Sequence, residues 1–201
     1  MKNIGKNFLY FMGCLLVCLA RFAQAENVPQ YEKAIFASGC FWCTEHDFDH
    51  VKGVVSTIAG YTGGEKVNPT YEEVSAGGTG HVEGVEVEYD PSIVSYQELL
   101  NFYWHNVDPT RNDGQFCDKG FQYRPVIYYY NDKQKELAEQ SKAQLVKENK
   151  IHPILVDILP AKTFYPAEEY HQSYYKKNPV RYNFYRYRCG RDNRLQEIWG
   201  K

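Results

Sequence analysis

Four apolar residues, Ala34-Ile35-Phe36-Ala37, lead into Gly39-Cys40-Phe41-Trp42-Cys43-Thr44-Glu45. Such a run reads as a buried strand, and the polar–apolar mixture from Glu45 to Val51 reads as a helix. Any fold for this chain must therefore accommodate a strand-to-helix junction at Cys40. Two thiols stand three residues apart across that junction, with two large aromatics between them. A thiol at a helix N-terminus meets unpaired N–H groups and the positive end of the dipole, which favour the thiolate. The thiolate is the form that attacks, and Phe41 and Trp42 are expected to form a small apolar wall beside it.

The rest of the chain reads as strands and helices in irregular alternation. Tyr31 to Ser38 is the first strand, and Val54 to Tyr61 is a second, ending in the turn Gly60-Tyr61-Thr62-Gly63-Gly64. Asn68-Pro69-Thr70-Tyr71 opens a turn and a short helix through Val74. After the loop Gly77-Gly78-Thr79-Gly80, the stretch His81 to Tyr89 sets Val82, Val85, Val87 and Tyr89 among acids at 83, 86 and 88. That is a strand with one apolar and one polar face. Ser95 with Glu98 three residues on is a capping box for a helix with Leu99, Leu100, Tyr103 and Trp104 on its apolar stripe. Pro125–Tyr130 and Ile154–Leu159 read as strands, and 132–150 and 167–177 as helices. The expected fold is an α+β two-layer sandwich with a mixed sheet, of the ferredoxin-like type, with a long irregular C-terminal tail over 179–201 wrapping the domain.

Residues 1–25 read as a signal peptide. Lys2 and Lys6 precede an apolar run from Phe8 to Ala20, and Ala23-Gln24-Ala25 is a small-x-small cleavage site. The run is shorter than the roughly 20 residues a membrane span needs. The remainder, 26–201, suits one catalytic domain with its own core. Cleavage would remove three of 23 basic residues and none of 25 acidic ones, so the formal charge moves from −2 to −5. Such a balance gives no reason to expect nucleic acid or an anionic membrane as partner. An exported, periplasmic monomer with no stable membrane insertion is the expectation.

Four of the six cysteines, Cys40, Cys43, Cys117 and Cys189, stay in that domain. Two structural disulfides are the ordinary outcome for an exported chain. Trp42 between the close cysteines favours a reversible C-x-x-C couple instead. Zinc would want a second pair at similar spacing, and Cys117 and Cys189 stand alone and far apart. His46 and His50, at i and i+4 beside Asp47 and Asp49, read as a solvated helix face rather than a metal site. Neither a metal nor another cofactor is expected.

Glu83 opens a strand just after a glycine loop. It reads either as a solvent-face acid or as a buried carboxyl whose raised pKa lets it donate a proton. Tyr71 and Tyr123 each follow a turn-like segment and could hold a polar oxygen through their hydroxyls. With 18 tyrosines in the chain, packing is the plainer reading of either. Asp118 reads as a turn acid. The tail interleaves Tyr182, Phe184, Tyr185 and Tyr187 with arginines, which suits cation–π contacts against the domain.

Five blocks together carry a resemblance: Gly39-Cys40-Phe41-Trp42, Gly60-Tyr61-Thr62-Gly63-Gly64, Asn68-Pro69-Thr70-Tyr71, Gly80-His81-Val82-Glu83 and Gln122-Tyr123-Arg124. In this order they resemble peptide methionine-(S)-S-oxide reductase, type A, from Phe36 to about Pro179. The resemblance implies that Cys40 attacks the sulfoxide sulfur and becomes a sulfenic acid. It implies that Phe41 and Trp42 hold the S-methyl group and that Glu83 protonates the oxygen. Tyr71 and Tyr123 then hydrogen-bond that oxygen, and Asp118 is a supporting acid. The substrate is oxidised methionine, free or in proteins, and the electrons come from thioredoxin or a thioredoxin-like dithiol. Cys43 stands where many members have glycine, and the tail around Cys189 is not the glycine-rich one that carries resolving cysteines. Cys43 is expected to resolve the sulfenic acid, because a three-residue spacing needs little chain rearrangement; Cys189 is the alternative. A thioredoxin-like disulfide oxidoreductase and a secreted disulfide- or zinc-stabilised binding module are the rival readings.

Overall fold

A computed structural model describes residues 30–148 and 151–200. The proposed signal peptide lies outside these residues. Six strands form the main sheet: β1 Glu32–Ala37, β2 Val54–Thr62, β3 Val82–Tyr89, β6 Val126–Tyr129, β7 Asp157–Pro160 and β8 Tyr165–Pro166. Their order is β7-β6-β1-β3-β2-β8. All neighbours are antiparallel except β6 and β7, which run parallel. The sheet is therefore mixed, as expected. β4 (Gly114–Gln115) and β5 (Asp118–Lys119) form a separate small hairpin.

β1 sits at the middle of the sheet, and Ala34, Ile35, Phe36 and Ala37 are fully buried. Their sides alternate. Ala34 and Phe36 join Val85, Val87 and Tyr89 of β3 in the larger core, beneath α1 (Phe41–Asp49), α3 (Tyr96–Trp104) and α4 (Asp132–Glu148). Ile35 and Ala37 pack on the opposite face with Val82, Val126 and Tyr128, covered by Leu159, Ala161 and Phe164. A strand covered on both faces has no need of polar residues, which is why its sequence runs apolar without a break. Phe36 stacks on Phe48 of α1 at 4.7 Å and on Tyr103 of α3 at 5.3 Å, tying both helices to the strand.

The capping box at Ser95 forms as read, with Ser95 and Glu98 bonded reciprocally. A second one, Thr70 with Glu73, opens α2 (Tyr71–Ala76). Each such cap contributes about 1 kcal/mol to fixing a helix start.

The C-terminal region differs from expectation. It is helical, in α5 (Tyr174–Lys177), α6 (Pro179–Cys189) and α7 (Arg191–Trp199). Pro179 occupies the first turn of α6, where its fixed φ suits a helix and its missing N–H costs nothing. Gly190 ends α6 in the left-handed region, φ 68°, and the chain turns there into α7. The helix expected over 167–177 is confined to Tyr174–Lys177. Ahead of it, Gln172 donates to the Ala59 carbonyl and accepts from the Ala59 N–H, so its side chain acts as a partner for β2. Ser173 then takes φ 49° and interrupts helical geometry.

Candidate active site

The strand-to-helix junction forms where it was expected. Cys40 is the N-cap of α1, and its carbonyl accepts from the N–H groups of Cys43 and Thr44 at 3.1 and 3.2 Å. Gly39 reaches the junction with φ +91°, and a Cβ there would stand 2.7 Å from Gln115 Cβ. Only glycine makes that turn without strain. The N–H of Phe41, a free donor of the first turn, donates to Glu83 Oε2 at 3.0 Å.

Glu83 stands opposite Tyr61 in the β2–β3 ladder. It shares strand parity with Val85, Val87 and Tyr89, so it lies on the apolar, helix-facing side. It is 2 % exposed. Burial, with the negative charge of Asp118 nearby, pushes its carboxyl up to about 8 against the counter-pull of the Phe41 N–H. At neutral pH it is a proton donor.

Cys40, Phe41, Trp42, Tyr71, Glu83, Asp118 and Tyr123 all line one small pocket of about 60 Å³. Every side chain picked from the sequence for substrate or acid chemistry is there. Tyr185 of α6 completes the wall and was missed; its sequence neighbourhood of alternating arginines and aromatics gave no sign of it. Its hydroxyl donates to Asp118 Oδ2 at 2.5 Å. Trp42 stacks face to face on Tyr174 at 3.7 Å and donates Nε1–H to His171 Nδ1 at 3.0 Å. Burial lowers the His171 pKa, so the ring is a neutral acceptor there. Burial raises the hydroxyls of Tyr71, to about 12, and of Tyr123, so both remain protonated donors. A larger cleft of about 430 Å³, between α3 and α4, is lined by residues such as Gln97, Asn101, Gln140 and Gln144 and presents no thiol.

Two expectations about the cysteines need correction. Cys40 is 8 % exposed, and burial, the Cys43 sulfur and the carboxyls of Glu83 and Asp118 push its pKa well up. Those costs outweigh the start of a nine-residue helix. Cys43 goes the other way: its hydrogen bond from Cys40, and then the guanidinium groups of Arg191 and Arg186, favour its ionised form. The ionisation of each sulfur is therefore tied to that of the other. Cys189, the alternative resolving thiol, is bonded to Cys117 across 72 residues. Cys40 and Cys43 are the free cysteines among the described residues.

α1 is held from below by charge. Asp47, 8 % exposed, accepts from Arg186 Nη1 at 2.7 Å and lies 3.5 Å from Arg191 Nη2. Arg191, 1 % exposed, also donates to the carbonyls of Ser38 and Asn106. His46 is engaged with Asp47, and His50 with the His46 carbonyl, so the two do not converge on a metal. Among the described residues the one group of three metal-capable side chains is Cys117, Asp118 and Cys189, whose sulfurs are already bonded to each other.

A sheet that fixes a thiol pair beside a neutral carboxyl and protonated phenols defines a thiol oxidoreductase acting on a small polar oxygen. Residues 32–201 match the family model described as peptide methionine sulfoxide reductase. The chain belongs to that family, and is a thiol-dependent reductase of methionine sulfoxide. It is 51 % identical over 171 residues to peptide methionine sulfoxide reductase MsrA of Bacillus licheniformis, covering 85 % of this chain and 94 % of that one. It is 46 % identical over 191 residues to MsrA/MsrB of Vibrio cholerae, covering 90 % of this chain; it spans half the length of that relative. Among solved structures, Mxr1 from Saccharomyces cerevisiae in reduced form is similar with a TM-score of 0.69 at 36 % identity, covering 75 % of this chain and 87 % of that one. Mxr1 in complex with Trx2 is similar with a TM-score of 0.50 at 29 % identity, covering 72 % and 85 %.

Proposed function

We propose that this chain reduces methionine (S)-sulfoxide, free and in proteins, at the Cys40 pocket. The sulfoxide methyl lies against Phe41 and Trp42. Its oxygen faces Glu83, with Tyr71 and Tyr123 donating to it and Asp118 in support. Cys40 passes its proton to the Cys43 side of the pair and attacks the sulfoxide sulfur. Glu83 protonates the oxygen, which is a poor leaving group otherwise. The S–O bond to methionine breaks, and Cys40 takes the oxygen as a sulfenic acid. Cys43 then attacks the Cys40 sulfur, water leaves, and a Cys40–Cys43 disulfide remains. A thioredoxin-like dithiol restores both thiols, as the complex of the related yeast protein with Trx2 supports. The leader-like 1–25 segment supports export to a periplasm, where the enzyme acts as a monomer on oxidised exported proteins.

The observation that carries the reading is a buried, protonated Glu83 facing the same 60 Å³ pocket as Cys40. Its test is dithiothreitol-driven reduction of the resolved S and R sulfoxides by wild type and Cys40→Ser. Wild type is expected to reduce the S epimer selectively and Cys40→Ser neither. Equal rates on both epimers, or activity in Cys40→Ser, would refute it.

A further inference from the structure

α6 meets the pocket through one tyrosine, and its outer side faces solvent. Val180, Phe184 and Tyr187 are 83 %, 66 % and 78 % exposed. Its inner side carries Tyr185, whose two ends touch two different site residues. The hydroxyl donates to Asp118 Oδ2 at 2.5 Å, and the ring stands edge-on to Trp42 with centroids 5.8 Å apart at 83°. Four residues along the same helix, Cys189 is bonded to Cys117, the residue directly before Asp118. The covalent bond and the hydrogen bond therefore join the same two segments, α6 and the β5 hairpin, side by side. The Cα atoms of the two cysteines are 4.9 Å apart.

We infer that Tyr185 is a positioning residue of the pocket, aiming the Asp118 carboxylate and bracing Trp42, and that the Cys117–Cys189 disulfide is the tie that keeps it there. This rests on the reading of the Cys40 pocket given above. A carboxylate left without its donor turns toward water or toward other partners, and an unbraced indole widens the slot for the S-alkyl group. Tyr185 thereby sets both rate and substrate size, while touching no reacting atom.

The two effects separate in single-turnover reactions without added reductant, in which Cys40 and Cys43 supply both electrons and the Cys117–Cys189 bond stays intact. Methionine release is followed for wild type, Tyr185→Phe, Tyr185→Ala, the double variant Cys117→Ser/Cys189→Ser, and Cys40→Ser. Tyr185→Phe keeps the ring and is expected to slow the burst about tenfold, the rate equivalent of one hydrogen bond to a charged group. Its preference for methionine sulfoxide over ethionine sulfoxide is expected to be unchanged. Tyr185→Ala is expected to lose that preference about fivefold as well, a shift that a general loss of stability does not produce. The double serine variant is expected to slow the burst about threefold, and to add little when combined with Tyr185→Phe. A Tyr185→Phe burst within twofold of wild type overturns the positioning role. Should that variant not fold, the double serine variant decides: a slowed burst supports the role and an unchanged one overturns it. A burst in Cys40→Ser would instead remove the reading of the pocket itself, whatever Tyr185 does.

Discussion

The Phe41 N–H donates to Glu83 Oε2 at 3.0 Å, joining the first turn of α1 to the start of β3 across 42 residues of sequence. The bond spends a helix-terminal donor on a carboxyl that burial keeps protonated. Ordinarily such a donor would stabilise the carboxylate. Here the apolar side of the sheet outweighs it, and the acid is both oriented and neutral.

Glu83→Gln keeps an acceptor for the Phe41 N–H and loses the transferable proton. Turnover is expected to fall by about 10² or more, the usual contribution of general acid catalysis, with thermal stability retained. In wild type, turnover is expected to decline as pH rises through about 8, where Glu83 ionises. Rates measured across the alkaline range should show that limb in wild type, and a glutamine variant that still shows it would rule out Glu83 as its source.

The same carboxyl ties stability to pH. Its folded-state pKa is raised, as is that of Glu45, to about 7, where burial outweighs the two bonds from the Ser173 N–H. The native chain then holds protons that the unfolded chain releases. Their stabilising effect is full below the unfolded carboxylate pKa and is lost as pH climbs through about 7 and about 8. Melting temperature from about pH 5 to about pH 8 is expected to fall by roughly 5 °C more in wild type than in Glu83→Gln or Glu45→Gln. Parallel curves would contradict the assignment.

Cys43→Ser is expected to release one methionine per chain and then stall, with Cys40 trapped as a sulfenic acid. Peptide mapping of wild type after one turnover should give a Cys40–Cys43 disulfide beside Cys117–Cys189. A Cys40–Cys189 peptide, with repeated turnover kept in Cys43→Ser, would show that the bond to Cys117 exchanges during catalysis.

Trp42 is held flat by Tyr174 and by the bond to His171. Replacing it with alanine removes the surface proposed to hold the methyl group and leaves a half-open slot. KM is expected to rise about tenfold and kcat to change less, since this contact is made before the S–O bond breaks. A fall confined to kcat in steady-state kinetics would count against a binding role.

Arg191→Met leaves Asp47 buried with one cation fewer and leaves two carbonyls without their donor. A loss of about 3 kcal/mol is expected in urea unfolding, in line with breaking a buried ion pair. A change under about 1 kcal/mol would mean the charge is replaced by water.

Much of the site could be read from sequence because local rules placed it. The apolar run into Gly39 set Cys40 at a helix start. The period of two along β3 put Glu83 in register with Val85 and Val87, although that parity was open to a solvent-face reading. The capping box at Ser95 needed only four residues of context. What escaped were long-range choices. Nothing in the spacing pairs Cys117 with Cys189, because their closeness depends on how α6 returns to the β5 hairpin. Tyr185 and Arg191 belong to helices whose arginines and tyrosines show no clean apolar stripe, since Phe184 and Tyr187 face solvent. The state of Cys40 followed the wrong rule, because the cost of burial is a property of the assembled pocket and not of the helix start.

β1 and β3 are hydrogen-bonded neighbours at the sheet's centre, with Phe36 opposite Val85. Cys40 follows the end of β1 by three residues and Glu83 stands on β3, so adjoining staves of one frame lead to the two groups. The opposite flank hangs on α6 and a two-residue hairpin strand. The two sides of the pocket are thus carried differently, one by paired strands and the other by a helix stapled to a short hairpin through Cys117–Cys189.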